Sequence, residues 1–480
     1  MTRAPATSTP GEIVVDRDAA ARLPRAIAFR HDALPLRLRD GVLTVAVPDA
    51  GDALVVDALR AAARVPLRAV TRERDAIRAS LHAVYPDAAD EPRERDDAPA
   101  VRAVDAVLAR AAALHASDVH VEPLGEGGRV RARVDGILRE LDAIPSTLLA
   151  PFVSRLKLLA GMDIADRRQP QDGRCTVAVD GRRIDARVSS VPTVEGEKLV
   201  VRLLDRHAAA PDLATLGMPE PMLARYERAL HAPWGFVVVA GPTGSGKTTT
   251  LYASLARLDA RSRNVCSVED PVEMRLPGVS QTQVNPRAGV TFPTVLRALM
   301  RQDPNVVMVG EMRDAETASV ALSAALAGQA VFATLHANDA PRAIDRLLEL
   351  GVARHALAAA LGAIVAQRLV RRLCERCRAS EPIPSATRAA LRIERDRWFV
   401  ARGCAACEGT GYLGRTGVYE LLEVDEPARE AIASGASSAQ VARLCAERGY
   451  APMETHGIAQ VLAGVTSFDE LRRVVARAAR

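Results

Sequence analysis

The segment GPTGSGKT at residues 241–248 has the spacing G-x-x-x-x-G-K-[ST]. Gly241, Gly244 and Gly246 free the backbone to wrap a phosphate chain with its N–H groups, and Pro242, Thr243 and Ser245 fill the positions between them. Lys247 can reach the outer phosphates and Thr248 can hold magnesium. The positive end of the helix that starts here, with Thr249 in its first turn, faces the same anion. Lys157, Lys198 and Lys247 are the only lysines among 64 basic residues. A chance match is then roughly one in a thousand. A lysine kept in an arginine-rich chain is informative, since the two side chains differ wherever a compact point charge is needed.

Binding a nucleotide is not hydrolysing it, and the next segments carry groups that could. SVEDPVE (267–273) contains Glu273, VVMVGE (306–311) ends in Glu311, and TLHAND (334–339) offers His336. One carboxylate can orient a magnesium shell, another can activate the attacking water, and the histidine can sense phosphate. Four cysteines make a different site. Cys374 and Cys377, then Cys404 and Cys407, give two C-x-x-C pairs 26 residues apart. Two residues between thiolates let both reach one tetrahedral ion, and four close its shell, which describes a structural zinc. Arg371, Arg372, Arg376 and Arg378 stand nearby to offset the negative charge. Cys175, Cys266 and Cys445 read as ordinary buried thiols.

These groups need elements to place them. Short apolar runs at 236–240, 265–268, 306–309 and 330–334 alternate with helical segments such as 248–258 and 292–300, which argues for a parallel sheet buried on both faces. Ligands lie at the carboxyl ends of such strands, so the loop and the acids should converge. Upstream, 119–122 and 129–134 alternate with period two, and Asp135-Gly136 is a hairpin signal. Residues 176–179 and 184–188 form a second pair around Asp180-Gly181, in an α+β domain ending near Asp205. Residues 41–47 read as a strand and 52–63 as a helix. The polar stretch at 86–99, with three prolines, reads as a linker. From Val418 the chain reads as largely helical.

Composition excludes other classes. No apolar run follows the first residues, so no signal peptide is expected. The uncharged stretch at 317–338 is broken by Ser319, Ser323, Gly328, Gln329 and Thr334, which fits a buried helix and strand better than a membrane span. Aromatic residues are 3% and the net charge is only +5, which argues against nucleic acid as a partner.

The ordered motifs GPTGSGKTTT, SVEDPVE, RQDPNVVMVGEMRDAETA and TLHANDA, preceded by ASDVH (116–120) and PQDGR (170–174), resemble the secretion ATPase superfamily. The likeness is greatest to the general secretion pathway protein E family of type II secretion and the type IV pilus assembly ATPases, over roughly residues 101–475. The resemblance implies an α/β chain with a RecA-like P-loop motor domain. Ahead of it would stand a small N-terminal α/β domain and an α+β (PAS-like) domain, with a zinc-binding insertion and a helical C-terminal part behind. The expected boundaries are a partner-docking domain at 1–85, a linker at 86–100, the α+β domain at 101–205 and a connector at 206–229. The ATPase core follows at 230–370, the tetracysteine module at 371–412 and the helical subdomain at 413–480.

By resemblance Glu273 is the general base of the Asp box, Glu311 the Walker B acid and His336 the His-box residue. Arg174 and Arg187 are arginines that reach a nucleotide in a homohexamer. Many relatives have a histidine where this chain has Gln329, which cannot titrate near neutral pH. The family uses ATP, magnesium and zinc. It works in the cytoplasm, peripheral to the inner membrane, with the N-terminal domain on the cytoplasmic part of a platform protein. By the same resemblance the cysteine pairs favour an assembly or secretion motor over a retraction motor, and the short region before the linker favours type II secretion over pilus assembly. The alternatives are pilus assembly, a DNA-translocating motor and an inactive structural ring.

Overall fold

The computed structural model describes residues 15–63, 65–85, 98–179, 182–204 and 210–475. The turn at Asp180-Gly181, the domain end near Asp205 and most of the expected linker (86–97) lie outside these residues. The chain divides into two compact units, Met1–Arg102 and Ala103–Arg480.

In the first unit, β1 (Leu34–Arg39) and β2 (Val42–Val47) pair antiparallel, and β2 pairs parallel with β3 (Leu67–Thr71). Asp40 and Gly41 turn the hairpin with φ of 52° and 77°, the left-handed pair that tight hairpins require. A parallel neighbour needs a crossover, supplied by the helix Ala53–Ala63. Leu34, Leu43, Val45, Leu59, Ile77 and Leu81 close a small core.

The second unit begins within the helix Pro99–Ala113 and continues into a six-stranded antiparallel sheet of order β6-β5-β4-β9-β8-β7. Its strands are β4 (Asp118–Leu124), β5 (Gly127–Val134), β6 (Ile137–Pro145), β7 (Gln171–Val179), β8 (Arg182–Thr193) and β9 (Gly196–Leu204). Period-two alternation gives the sheet one apolar and one polar face. On β5, Val130, Ala132 and Val134 pack with Phe152 and Leu156 of the helix Ser146–Leu159. Arg129, Arg131 and Arg133 point the other way, where Arg129, Arg131 and Lys198 surround Glu122.

The motor sheet has seven strands in the order β12-β11-β13-β14-β10-β15-β18. They are β10 (Gly235–Ala240), β11 (Val265–Glu269), β12 (Val279–Gln283), β13 (Val306–Val309), β14 (Ala330–Leu335), β15 (Leu361–Leu373) and β18 (Tyr412–Glu423). All pairs are parallel except β15 with β18. Alternate residues of β10 enter opposite cores: Phe236, Val238 and Ala240 on one face, Val237 and Val239 on the other. Strands buried on both faces read as continuous apolar runs for this reason. Between β15 and β18 lie the cysteines and a small ribbon of β16 (Ala379–Pro382) and β17 (Arg397–Val400). The turn after β5 docks beside this module, where Gly414 donates its N–H to Asp135 Oδ2 at 2.9 Å.

One expectation needs correction. Residues 418–423 are strand, not helix, and complete the motor sheet as part of β18. Their burial on both faces leaves neither a helical nor an alternating period to read. Beyond Val424 the described residues, which end at 475, form four helices. The stretch 317–338 divides into the helix Ala315–Leu326 and β14. Among the described residues no helix is long and apolar enough to cross a membrane.

Candidate active site

The loop after β10 is set by backbone demands that only glycine meets. A Cβ on Gly241 would lie 2.7 Å from the Gln367 carbonyl oxygen, and Gly246 enters the helix Lys247–Arg257 at φ 86°. Gln367 on β15 clamps both sides of the turn. Its Nε2 donates to the Ser245 carbonyl at 2.7 Å, and its Oε1 accepts from Thr250 Oγ1 at 2.8 Å. The Lys247 ammonium arches back to the carbonyls of Gly241 and Pro242 at 2.9 and 3.0 Å. Burial pushes its pKa down, and Glu311 pulls it back up. Ser245 Oγ is buried with no hydrogen-bond partner among the described residues. Such an orphaned hydroxyl is satisfied by a phosphate oxygen in the turn, so the residues fit a nucleotide.

Strand order brings the other groups to this loop. Because β14 lies between β10 and β13, its end carries His336 between the loop and Glu311. Glu311 Oε1 is 2.9 Å from His336 Nε2, and Oε2 is 2.7 Å from Arg313 Nη2. Burial pushes the Glu311 carboxyl up, but Arg313, His336 and Lys247 together hold it below the usual range, so it is ionised. Asp339 caps the next helix through the Arg342 N–H at 2.8 Å and fixes the loop that carries His336.

Glu273 is reached differently. It follows β11 and is half-buried, and its backbone N–H donates to Tyr252 Oη at 3.1 Å. Tyr252 belongs to the loop helix, so this contact links the Asp-box segment to the P-loop. Sequence reasoning missed Tyr252, Glu269, Arg313 and Gln367. Glu269 stood inside SVEDPVE, but nothing in the pattern says that it is buried as a structural anchor.

Arg174 and Arg187 stand directly opposite each other on β7 and β8, and Arg202 follows on β9. Like charges in register repel, and Asp118 relieves part of this by accepting from Arg202 Nε at 2.9 Å. The row lines a cavity of about 890 Å³ whose motor side is Asp270, Gln283, Asn285 and Arg287. No residue of 241–249 lines it. The structure therefore brings the arginines to the carboxyl ends of β11 and β12, not to the P-loop. Behind Arg174, the buried Lys157 donates to Glu197 at 2.7 Å and to the Asp166 carbonyl at 2.6 Å. That lysine has a holding role in the loop before β7.

Gln329 precedes β14, and its carbonyl accepts the N–H of Gly235 at the start of β10. It therefore sits at the amino end of the strands, roughly 17–20 Å from the P-loop end by strand length. An acid–base role there is excluded by distance.

The cysteines converge. All four Sγ atoms lie within 4.8 Å of one another, with Cys374–Cys404 at 3.9 Å and Cys377–Cys407 at 3.8 Å. A tetrahedron of thiolates about 2.3 Å from zinc has edges near 3.8 Å, so the donor set fits. Two of the four arginines expected to compensate the thiolates are engaged elsewhere. Arg371 pairs with Glu470 and stacks on Tyr412, while Arg378 covers Phe399 and donates to the Gly464 carbonyl. Backbone N–H groups serve instead. Gly403 donates to Cys377, and Cys404 and Gly411 donate to Cys407 at 3.2 and 3.1 Å. Burial pushes the Cys407 thiol up, yet the N–H groups of Cys404 and Gly411, with the neighbouring thiols of Cys404 and Cys377, bring it down to about 6. Cys266 and Cys445 are buried thiols, and Cys175 is half-buried.

Comparison with known proteins agrees with this geometry. Residues 93–473 match the family described as Type II/IV secretion system protein, and residues 9–91 match the MshEN domain. The type II secretion system protein HxcR of Pseudomonas aeruginosa is 46% identical over 389 residues, 81% of this chain and 80% of that protein. Type II secretion system protein E of the same organism is 40% identical over 484 residues, 94% of this chain and 96% of that protein. Among solved structures, the ATPase DotB of Legionella pneumophila superposes with a TM-score of 0.59 at 22% identity, covering 80% of this chain and 97% of that one. That likeness carries the fold, a RecA-like motor behind an α+β domain.

Proposed function

Because this chain belongs to the Type II/IV secretion system protein family of ATP-hydrolysing proteins, we propose that it powers type II protein secretion as a cytoplasmic homohexamer peripheral to the inner membrane. The observation that carries this reading is the convergence of Lys247, Glu311 and His336 on the carboxyl ends of β10, β13 and β14. Loop N–H groups and Lys247 hold the β- and γ-phosphates of ATP, and His336 reports on the outer one through Glu311. Thr248 would hold a magnesium ion and Glu311 would orient its shell, and the ion would supply positive charge beside the phosphates. Glu273 takes the proton of the attacking water. Arg174 and Arg187 reach the nucleotide when the α+β domain closes on a motor domain, and their charge favours the transition state. Cys374, Cys377, Cys404 and Cys407 would hold a zinc ion, which would fix the module between β15 and β18.

The division of labour follows the sequence boundaries, with β18 added to the motor domain. The region 1–85 docks on the cytoplasmic part of a platform protein, 86–100 tethers it, and 101–205 transmits rotation to the motor. The test is co-isolation from membranes with the full chain as bait, beside a chain lacking residues 1–102. Recovery of a secretion-platform protein by the full chain alone supports the reading. Recovery of a pilus component moves the protein to the assembly branch, and ATPase stimulation by DNA overturns both.

A further inference from the structure

Tyr252 lies four residues after Thr248 on the loop helix, so the two side chains share one face. It is 2% exposed. Its hydroxyl donates to Glu269 Oε2 and accepts the Glu273 N–H at 3.1 Å. Glu269 is 1% exposed, and among the described residues no lysine, arginine or histidine pairs with it. Its other oxygen accepts from Ser267 Oγ and from Gln281 Nε2 at 3.1 Å. Gln281 in turn accepts the Leu276 N–H at 2.8 Å and donates to the Met274 carbonyl at 3.0 Å, while Gln283 accepts the Val272 N–H at 3.2 Å. Side chains thus hold the backbone of the Asp-box segment at residues 272, 273, 274 and 276.

A carboxylate buried without a cation is costly, and an apolar pair of similar volume would fill the space without that cost. What the polar arrangement supplies is direction. It fixes Glu273 to the helix that carries Lys247 and Thr248. We infer that Tyr252 and Glu269 are positioning residues for the general base, holding it and the nucleotide in one rigid frame. This rests on the reading of Glu273 as the base. Burial and the Glu269 charge push the Tyr252 hydroxyl up, so it stays a donor at neutral pH.

Tyr252→Phe keeps the ring and removes the link. A misplacement of about 1 Å in a reacting group costs on the order of 10²-fold. The expected result is therefore a kcat lower by about 10- to 100-fold, with KM for ATP and nucleotide affinity within about twofold of wild type. On a Glu273→Gln background the same substitution should cost nothing further, because the residue it positions is gone. Amide exchange should quicken at residues 272–276 and stay unchanged in β10 and β14, a readout that holds even where Glu273→Gln turnover is too slow to measure. Wild-type turnover in Glu273→Gln overturns the base assignment itself. Wild-type turnover in Tyr252→Phe beside an inactive Glu273→Gln overturns only the positioning role, as does an equal loss on both backgrounds or unchanged exchange at 272–276.

Discussion

The phosphate end of the motor sheet and the tetracysteine module each gather side chains around a small volume, and they do so in opposite ways. At the phosphate end the charged groups stay reachable. His336 is 44% exposed, Glu311 is paired to Arg313 of its own loop and to His336 of the next, and the Lys247 ammonium rests on carbonyls of its own turn. In the module the ligand atoms face inward, Cys374 and Cys407 are buried, and backbone N–H groups donate to the sulfurs of Cys377 and Cys407. A site that must turn over keeps contacts that can be exchanged for substrate. A site that must hold a shape satisfies its own. Substitutions at the two places should therefore separate: activity without loss of stability at one, stability without loss of chemistry at the other.

The largest effect is expected at the phosphate end. Glu273→Gln should lower ATP turnover by roughly 10³-fold with an unchanged melting temperature, read by steady-state phosphate release and calorimetry. Arg174→Ala should lower kcat by about 10²-fold, the loss typical of one transition-state donor, while ATP binding to the P-loop persists. An equal loss of nucleotide affinity would place the arginine in ground-state binding instead. Cys377→Ser should invert the pattern. Elemental analysis should find about one zinc per wild-type chain and less in the variant, with a lower melting temperature and unchanged turnover per folded molecule. Zinc-free wild-type protein of normal stability would erase the contrast.

The smallest effect concerns acid. Burial pushes Glu470 up, but Arg473 and Arg371 bring it down to about 2. Hydrogen bonds from Arg131, then Lys198 and Arg129, bring Glu122 to about 2 against burial. Both lie below the unfolded value of about 4.3. Their stabilisation is therefore complete above about pH 4.3 and is lost as pH falls towards 2. Glu470→Gln should flatten that part of the stability–pH profile, measured by thermal melts.

What could be read from the residues differs between the same two regions. The cysteine spacing is local, so four residues of one type, in two close pairs, were enough to place a cluster that the fold then closed. The P-loop was equally local. The acids could be placed only by assuming a parallel sheet, and the assumption worked because β10, β13 and β14 are apolar along their length. Tyr252 and Gln367 were illegible, since their partners are 17 and 117 residues away and no period marks them. Arg371 and Arg378 were misread because nearness in sequence suggested the thiolates, whereas their partners Glu470 and Gly464 come from the helix Phe468–Val475 and the turn before it. β18 escaped because burial on both faces erases alternation.

The central claim is that the loop at 241–248 hydrolyses ATP, and Lys247→Ala tests it most directly. The variant should melt as the wild type does, keep its zinc, and release no phosphate from ATP above background. Retained ATP turnover in a folded, zinc-loaded Lys247→Ala protein would contradict the account.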